Sequence, residues 1–437
     1  MDYRPLGYQY RIFRSPKERL FIGGGIGVGK TDTGSVWTLM RAKQAPGDVF
    51  GIIAAHTYQQ LIDVTVRNFF KNLDNWGIPH LPKALPGSSR PFTVRVWNGS
   101  RWVDHLCRSL DSPENLSGLE AGYWWCDEAW QATREAVDIL LARDRDKRMH
   151  NQGLFTTTLY EPTSWMYETF VERFDERLME VIYAPTWLNA KNLPDGYIRR
   201  MKAMYSVRQY QRMIEAKWVT LASGQVYYAF DRKVHVQQHA EFDPHLPILW
   251  THDFNIGQNK PMSSALCQIR RAIGKDGWRP ELVVFDELVL DSSDTSDSIA
   301  EFRARGWQDK LKTKHAVWIY GDASGRAHDT RSRTSDYKIL ADAGFVQQRV
   351  PLANPQIRTR HNSTNALLKN AAGDVRCYVH PRCTTLAKGL ETVRVKKGAQ
   401  YVEEQTRESH ITCSLGYLIE AEFPSAGPRG GSMELPI

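Results

Sequence analysis

The chain has 437 residues, of which 42% are hydrophobic, so it is long enough for two globular domains and unlike a disordered protein. Its formal net charge of +8 favours polyanionic partners such as nucleic acid. The longest apolar runs fall short of the roughly 18 residues of a membrane span, and the first ten residues lack the apolar core of a signal peptide. With six scattered cysteines that suit a reducing compartment, we expect a cytosolic protein without a membrane partner.

The first notable segment, YQYRIFR, is aromatic and basic and precedes the first strand signal. Gln9 lies in it and is a candidate for reading an adenine base. Plain packing of this side chain is the alternative.

The strongest local motif is a phosphate-binding loop in LFIGGGIGVGKTDTG. Leu20 to Ile22 predict a short strand, and residues 24–31 match G-x-x-x-x-G-K-T at the start of a helix-compatible stretch. Backbone N–H groups of such a loop cradle phosphates, Lys30 reaches the β- and γ-phosphates, and Thr31 holds magnesium. The predicted nucleotide-binding residues are Gly24, Gly25, Ile26, Gly27, Val28, Gly29, Lys30 and Thr31. A glycine-rich turn that matches by chance is the alternative.

The segment AGYWWCDEAW predicts a buried strand that ends at two acids. Asp127 suits magnesium binding, and Glu128 suits orienting or deprotonating the attacking water. Adjacent side chains at a strand end point in different directions, which allows these separate roles. A surface Asp-Glu pair is the alternative, although four bulky residues directly before it argue for a hydrolase.

Two further segments follow the acid pair. LLARDRDKRMH contains Arg143, which we select as an arginine that stabilises transition-state charge across a subunit boundary, with a solvated basic helix end as the alternative. GLFTTTLYEP predicts a strand carrying Thr156, Thr157 and Thr158. A polar residue at this strand end senses the γ-phosphate in additional-strand ATPases, whereas the plain alternative is the preference of threonine for strands.

The strand pattern restarts near residue 246. LPILWTHDFNIG predicts a buried strand ending at Asp253, and HAVWIYGDASG predicts another ending at Asp322. Carboxylates brought together at strand ends can hold two magnesium or manganese ions for phosphodiester hydrolysis. Between them, ELVVFDELVL carries Glu287, either an accessory acid or a solvent-facing one.

Some C-terminal features have weaker chemistry. Cys377, His380 and Cys383 form a loose Cys-x-x-His-x-x-Cys, but a proline interrupts it and a structural zinc site needs four convergent ligands. Basic residues cluster at 331–334 and 393–397 and are candidates for DNA phosphate contacts or plain solvated faces.

The segment SHITCSLGYLIEAEF, residues 409–423, predicts an amphipathic helix, because its apolar residues recur at helical spacing. His410 and Cys413 are three residues apart and therefore share a face. A zinc half-site, an ordinary core cysteine and an altered catalytic site are all compatible with this pair.

The order of these motifs resembles the large terminase subunit of tailed bacteriophages, the motor that packages and cuts viral DNA. SPENLSGLEAGYWWCDEAW, TTTLYEPTSWMYETF and MYSVRQYQRMIEAKWVTLASGQVYYAFD carry the resemblance. It implies an α/β fold with an N-terminal P-loop ATPase domain of the additional-strand class, a parallel sheet and a small helical lid, followed by a ribonuclease H-like nuclease domain with a mixed sheet. We expect the ATPase core at 1–189, the lid at 190–222, the nuclease at 223–425 and a flexible tail at 426–437.

The resemblance also assigns metal-binding positions. Asp253 and Asp322 match the family's first two, and the third acid belongs to a C-terminal His-x-x-Asp pattern, where this chain has His410 but Cys413. A thiol is mostly neutral at pH 7 and a poor magnesium ligand, so this change should weaken the second metal and slow cleavage. Compensation by His410 or Glu408, deliberate inactivation and plain packing of Cys413 remain open.

The cofactors and partners that the resemblance implies are ATP, Mg²⁺ (with Mn²⁺ able to support the nuclease), double-stranded DNA, a portal protein and a small terminase subunit. The chain would form a ring on the portal, be a monomer when free, and act in the host cytoplasm at the procapsid, without remaining in the mature virion. The alternatives are a motor whose second domain only binds DNA or the portal, and another nucleic-acid ATPase or helicase.

Overall fold

The computed structural model describes residues 3–85, 91–161, 164–219, 224–255, 260–274, 277–312, 317–327, 334–396 and 402–425. The chain divides into two compact units, Met1–Ile198 with Tyr210–Thr220 and Arg199–Gln209 with Leu221–Ile437. The predicted lid, residues 190–222, therefore contributes to both units. The predicted tail 426–437, residues 331–333 of one basic cluster and residue 397 of the other lie outside the described residues.

An eight-stranded sheet forms the centre of the first unit. Its strands are β1 (Arg19–Gly24), β2 (Gly51–Ala55), β3 (His80–Leu81), β4 (Phe92–Trp97), β5 (Trp102–Ser109), β6 (Tyr123–Asp127), β7 (Gln152–Thr157) and β8 (Met179–Ala184). In the order β3-β4-β5-β2-β6-β7-β1-β8, every pairing from β5 to β8 is parallel, and β4 runs antiparallel to both β3 and β5. Strands β2, β6 and β7 are buried along their whole length, as expected for central parallel strands.

Helices flank this sheet. They are α1 (Gly7–Arg14), α2 (Lys30–Gln44), α3 (Tyr58–Gln60), α4 (Arg67–Asn75), α5 (Arg134–Leu141) and α6 (Trp165–Tyr167). Two further helices, α7 (Tyr197–Met204) and α8 (Val207–Met213), have residues in both units. A π-helical segment, Leu61–Val66, joins α3 to α4. Thr133 begins α5 by accepting a hydrogen bond from the N–H of Ala136. Because β1, β6 and β7 are parallel neighbours, their carboxyl ends meet at one edge of the sheet, where ligands bind in open α/β folds.

A five-stranded mixed sheet forms the second unit. Its strands are β9 (Ile248–Asp253), β10 (Met262–Gly274), β11 (Gly277–Leu290), β12 (Val317–Gly321) and β13 (Cys377–Val379). In the order β12-β9-β10-β11-β13, the two outer pairings are parallel and the two inner pairings are antiparallel. The helices are α9 (Arg232–His235), α10 (Thr295–Ala304), α11 (Asp336–Asp342), α12 (Ile357–Leu368), α13 (Thr384–Thr392) and α14 (Arg407–Glu422).

The α/β architecture predicted from the sequence is confirmed, with a mostly parallel first sheet and a mixed second sheet. Helix α14 contains the predicted amphipathic segment. Its apolar residues Ile411, Leu415, Leu418 and Ile419 are fully buried in the core of the second unit. Thr406 begins the helix with a capping hydrogen bond from the N–H of Ser409. Within the described residues, no helix has the length and apolar character to cross a membrane.

The packing of α2 on the first sheet gives a stability test. A Cβ atom at Gly34 would lie 2.0 Å from Cε2 of Trp125, which is fully buried on β6. Gly34→Ala should therefore lower the melting temperature, because a buried steric conflict of about 1–3 kcal/mol outweighs the gain of about 1 kcal/mol that alanine gives a helix. The matched control is Gly7→Ala in α1, where nothing lies within 4 Å. Thermal unfolding measures both variants, and an unchanged melting temperature for Gly34→Ala would contradict this packing.

Candidate nucleotide site and second acidic site

The predicted phosphate loop connects β1 to α2, and its shape depends on glycine. Gly27 and Gly29 have φ angles of +76° and +97°, in the left-handed region that other residues rarely adopt. A Cβ atom at Gly25 would lie 2.3 Å from Oγ1 of Thr186. A side chain at these positions would therefore distort the loop or displace its neighbours.

Four hydrogen bonds tie this loop to the end of β8, to the segment that follows β8 and to the end of α8. They join Gly25 N to Ala184 O (2.9 Å), Ile26 N to Met213 O (2.7 Å), Thr186 Oγ1 to Ile26 O (2.8 Å) and Asn189 Nδ2 to Gly27 O (2.8 Å). The loop and these segments are thus mechanically connected within the first unit. Thr186 and Asn189 were missed by the sequence interpretation, since no motif marks them.

Lys30 is the buried cation of the site. Its Nζ donates to the carbonyl oxygens of Gly24 and Gly25, each at 3.0 Å. Burial lowers the pKa of Lys30 from its ordinary value, while the charges of Glu128 and Asp127 act in the opposite direction. A cation held at a loop of backbone N–H groups is suited to binding a polyphosphate.

Gln9, the predicted reader of the adenine base, belongs to α1 and lies next to the first turn of α2, beside this loop. Its Nε2 donates to Oγ1 of Thr33, and its Oε1 accepts from the N–H of Leu6. Tyr8 donates its hydroxyl to the carbonyl oxygen of Val28. Both polar groups of the Gln9 amide therefore bind within the protein, and contact with a base stays a prediction.

Asp127 ends β6 with only 1% of its surface exposed. Three hydroxyl groups donate to its carboxylate: Thr156 Oγ1 at 2.7 Å, Thr65 Oγ1 at 3.0 Å and Thr31 Oγ1 at 3.4 Å. Burial and the charge of Glu128 raise the pKa of Asp127 to about 6, although the threonine bonds and Lys30 favour the ionised form. The carboxylate and the Thr31 hydroxyl are the hard oxygen ligands that Mg²⁺ prefers.

Glu128 follows Asp127 with φ +47° and ψ +47°, a left-handed conformation that is rare for a side chain of this size. Its Oε2 accepts a hydrogen bond from the indole Nε1 of Trp130 at 3.1 Å and a longer one from the N–H of Thr158 at 3.4 Å. The strained turn separates the two acids, because Asp127 continues the strand while Glu128 leaves it. Asp127 and Glu128 therefore have different partners, and their separate roles in metal binding and water activation stay a prediction.

Arg143 lies at the other end of β6. Its main-chain oxygen accepts from the N–H of Ala121, six residues before Asp127, which corresponds to about 20 Å along an extended strand. Its side chain donates to the carbonyl oxygens of Ile139 and Leu116. The structure therefore does not bring Arg143 to Lys30 of the same chain, and a role in a neighbouring subunit stays a prediction.

In the second unit, Asp253 is the last residue of β9, and Asp322 directly follows β12, which pairs with β9 in parallel. The register pairs Gly321 of β12 with His252 of β9, so the two acids are the next residues on adjacent strands. Asp253 Oδ2 accepts from Asn255 Nδ2 at 2.6 Å and contacts His410 Nδ1 at 2.8 Å. Burial, together with the charge of Asp253, raises the pKa of Asp322, whereas hydrogen bonds from Ser324 oppose this shift.

Cys413 contacts the carboxylate of Glu403 rather than that of Asp253 or Asp322. Its Sγ lies 3.6 and 3.7 Å from the two carboxylate oxygens of Glu403, and burial raises the pKa of this thiol. His361 Nε2 lies 2.7 Å from Oε1 of Glu403, and an Arg360 nitrogen lies 3.8 Å away. Burial opposes ionisation of Glu403, but His361 and Arg360 hold its pKa below the ordinary value. The sequence interpretation missed this cluster.

The remaining predicted ligands also have partners within the protein. Glu287 accepts from the N–H groups of Thr385 and Leu386 at the start of α13, and Glu408 forms an ion pair with Lys388. Cys377 and Cys383 are buried in the hydrophobic core. Across the described part of the chain, no three His, Cys, Asp or Glu side chains are grouped closely enough to hold a metal ion. Asp253 and Asp322 are adjacent, so the metal pair that the sequence predicted at these acids stays a prediction.

Comparison with known proteins agrees with the fold. Residues 21–234 match the family model described as "Terminase large subunit, T4likevirus-type, N-terminal". The structure is similar to that of the large terminase from a thermophilic bacteriophage in complex with ADP, with a TM-score of 0.61 and 16% identity over 95% of this chain and 99% of that one. The ATP-gamma-S complex of the same protein gives a TM-score of 0.59 at 16% identity, again over 95% and 99% of the two chains. No curated protein matches the sequence.

The raised pKa of Asp127 predicts a dependence of stability on pH. The unfolded carboxyl group ionises near pH 4 and the folded one near pH 6, so the free energy of unfolding falls as pH rises between these values. Without magnesium and nucleotide, Asp127→Asn should therefore stabilise the protein at pH 8, by on the order of 2 kcal/mol, and have little effect near pH 4.

Thermal unfolding at the two pH values measures this difference. The control is Asp146→Asn, because hydrogen bonds from Arg148 lower the pKa of Asp146 and removal of its charge should destabilise the protein at pH 8. Destabilisation by Asp127→Asn at both pH values would show that burial of the ionised Asp127 carboxylate does not lower the free energy of unfolding.

The contact between Cys413 and Glu403 predicts an energetic coupling. Cys413→Asp should lower the melting temperature, because a second buried carboxylate would face Glu403. Addition of Glu403→Gln should recover most of the loss, giving a coupling energy of about 1 kcal/mol or more in a double-mutant cycle. Cys413→Ser with and without Glu403→Gln is the uncharged control cycle, and additive effects in the Asp cycle would contradict the contact.

Proposed function

We propose that this chain, whose residues 21–234 match a family model of terminase large subunits, is an ATP-hydrolysing motor that moves double-stranded viral DNA into a procapsid. The observation that carries the proposal is the convergence of Lys30, Asp127 and Glu128 at the carboxyl edge of one parallel sheet. One cation and two separately oriented acids are what phosphoanhydride hydrolysis by water requires.

The residues of the first unit fit a nucleotide with Mg²⁺. The backbone N–H groups of the loop and the side chain of Lys30 would bind the phosphates, and Thr31 and Asp127 would hold the ion, whose charge neutralises the phosphate oxygens when ATP is bound. Asp127 is already oriented by Thr65 and Thr156, so little rearrangement is needed. Glu128 would accept a proton from the attacking water.

The connection to movement starts at the loop. Because Met213 and Asn189 are hydrogen-bonded to the loop backbone, a change in loop shape on hydrolysis would alter their positions. Thr157 at the end of β7 accepts from the N–H of Trp130, which places the threonine strand next to the acid pair. We propose that these contacts transmit the conformational change that accompanies hydrolysis to the predicted lid.

The partners follow from the family and the charge. Double-stranded DNA suits the net charge of +8, and we propose a portal protein, a small terminase subunit and a ring of copies at the procapsid in the host cytoplasm. In such a ring, Arg143 would act on the nucleotide of a neighbouring subunit, because β6 separates it from its own site. The large terminase of the thermophilic bacteriophage, which binds ADP and ATP-gamma-S, supports the choice of nucleotide.

For the second unit we propose DNA binding rather than efficient cleavage. Asp253 and Asp322 are adjacent, but Cys413 stands where the family resemblance implies the third acid and faces Glu403, which is held by His361. A cleavage site with two acids in place of three should bind metal weakly. This contact favours the DNA-binding alternative over the endonuclease that the family implies.

Parallel ATPase and plasmid-nicking assays test both proposals. Lys30→Ala should lower ATP hydrolysis by about 100-fold or more, because the loop loses its buried cation. Lys43→Ala, a matched change at an exposed position of the same helix, should leave hydrolysis unchanged. If the Lys30→Ala variant hydrolyses ATP at the wild-type rate, the motor assignment is refuted.

The nicking arm uses Mn²⁺ with the wild-type protein and Asp253→Asn. We expect little nicking by either protein, and equal DNA affinity in filter binding. Strong nicking by the wild-type protein that Asp253→Asn abolishes would refute the assignment of the second unit and restore the endonuclease.

A further inference from the structure

Trp130 lies beside Glu128, the proposed general base of the first unit. It lies in the short helical turn Ala129–Gln131 that directly follows Glu128. Its indole Nε1 donates to Oε2 of Glu128 at 3.1 Å, and its main-chain N–H donates to Oγ1 of Thr157 at 3.1 Å. One residue therefore bonds both the acid after β6 and the threonine that ends β7.

The indole ring is itself fixed by stacking. Trp130 and Tyr160 are stacked with their ring centroids 4.9 Å apart and their planes at 18°. The guanidinium carbon of Arg212 lies 5.2 Å from the centroid of the Tyr160 ring, and Arg212 is 4% exposed. The next residue, Met213, accepts the hydrogen bond from Ile26 of the phosphate loop. The stack that holds the indole therefore ends at Arg212, the neighbour of a residue that is hydrogen-bonded to the nucleotide loop.

We propose that Trp130 is the positioning residue of Glu128 in ATP hydrolysis. Its N–H fixes Oε2, so that Oε1, which receives no hydrogen bond from the described residues, is directed to accept the proton of the attacking water. Glu128 needs such a partner because its side chain is only partly buried and, without a hydrogen bond, its rotatable bonds would allow several rotamers. This inference rests on the proposed ATPase function.

Trp130→Phe tests the proposal, because phenylalanine keeps an aromatic ring over Tyr160 but has no N–H donor. We expect kcat to fall about tenfold or more, with KM for ATP and the affinity for ATP-gamma-S within twofold of wild type. The matched control is Trp165→Phe. Trp165 Nε1 donates to the carbonyl oxygen of Ala132 at 2.9 Å, so this variant loses an indole hydrogen bond that does not involve Glu128. Its kcat should stay within twofold of wild type.

The outcomes separate the alternatives. An unchanged or increased kcat in Trp130→Phe would overturn the proposal, as would a parallel change of kcat in Trp165→Phe. If Trp130→Phe does not fold, Trp130→His replaces it. Histidine retains a ring N–H, so a kcat within threefold of wild type supports the proposal and any larger fall overturns it. Lys30→Ala tests the ATPase function itself. If this variant still hydrolyses ATP, the ATPase assignment is refuted. If Lys30→Ala is inactive but Trp130→Phe is fully active, only the role of Trp130 is refuted.

Discussion

The burial of opposite charges at the end of a parallel sheet is the constraint on which the first unit depends. Lys30 and Asp127 are both removed from water, and isolated buried charges are costly. Threonines from three different elements donate to Asp127, and the loop carbonyls accept from Lys30. The helix α2, the π-helical segment before α4 and strand β7 must therefore all converge on β6. The same convergence would supply the arrangement that the proposed ATPase needs, so the contacts that satisfy the buried charges also hold them in position.

Pairs of large and small residues allow this convergence. Trp124 and Trp125 are fully buried on β6 and face opposite sides of the sheet. A Cβ atom at Gly153 would lie 1.9 Å from Trp124, just as one at Gly34 would meet Trp125. Trp125 also donates its indole N–H to Thr156, which in turn donates to Asp127. The run of bulky residues before the acid pair is thus part of the support of the acid as well as of the core.

Sequence reasoning predicted the elements that local pattern determines. The strands that end at Asp127 and Asp253, and the one that stops one residue before Asp322, followed from buried runs that stop at an acid. The mixed composition of the second sheet followed from the family resemblance. Contacts that depend on the meeting of distant segments were not predictable. Thr65 donates to Asp127 although the two lie 62 positions apart in the chain, and nothing in its local sequence marks it.

The second unit shows how a correct local prediction can have a different outcome in three dimensions. His410 and Cys413 do lie near one face of α14, as their spacing indicated. The two side chains are nevertheless offset by about 60° around the helix axis and by about 4.5 Å along it, which is enough for them to meet different partners. His410 contacts Asp253, whereas Cys413 contacts Glu403. The position of Glu403 depends on an isolated bridge between Val395 and Glu403, which the sequence does not indicate.

The central claim is that the loop after β1 and the acid after β6 form a single site for a nucleotide and its magnesium ion. A structure determined with ATP-gamma-S and Mg²⁺ tests it most directly. The account predicts the terminal phosphate within hydrogen-bonding distance of Lys30 Nζ and the ion between Thr31 and Asp127. A nucleotide bound elsewhere, or an ion that leaves Asp127 without contact, would contradict it.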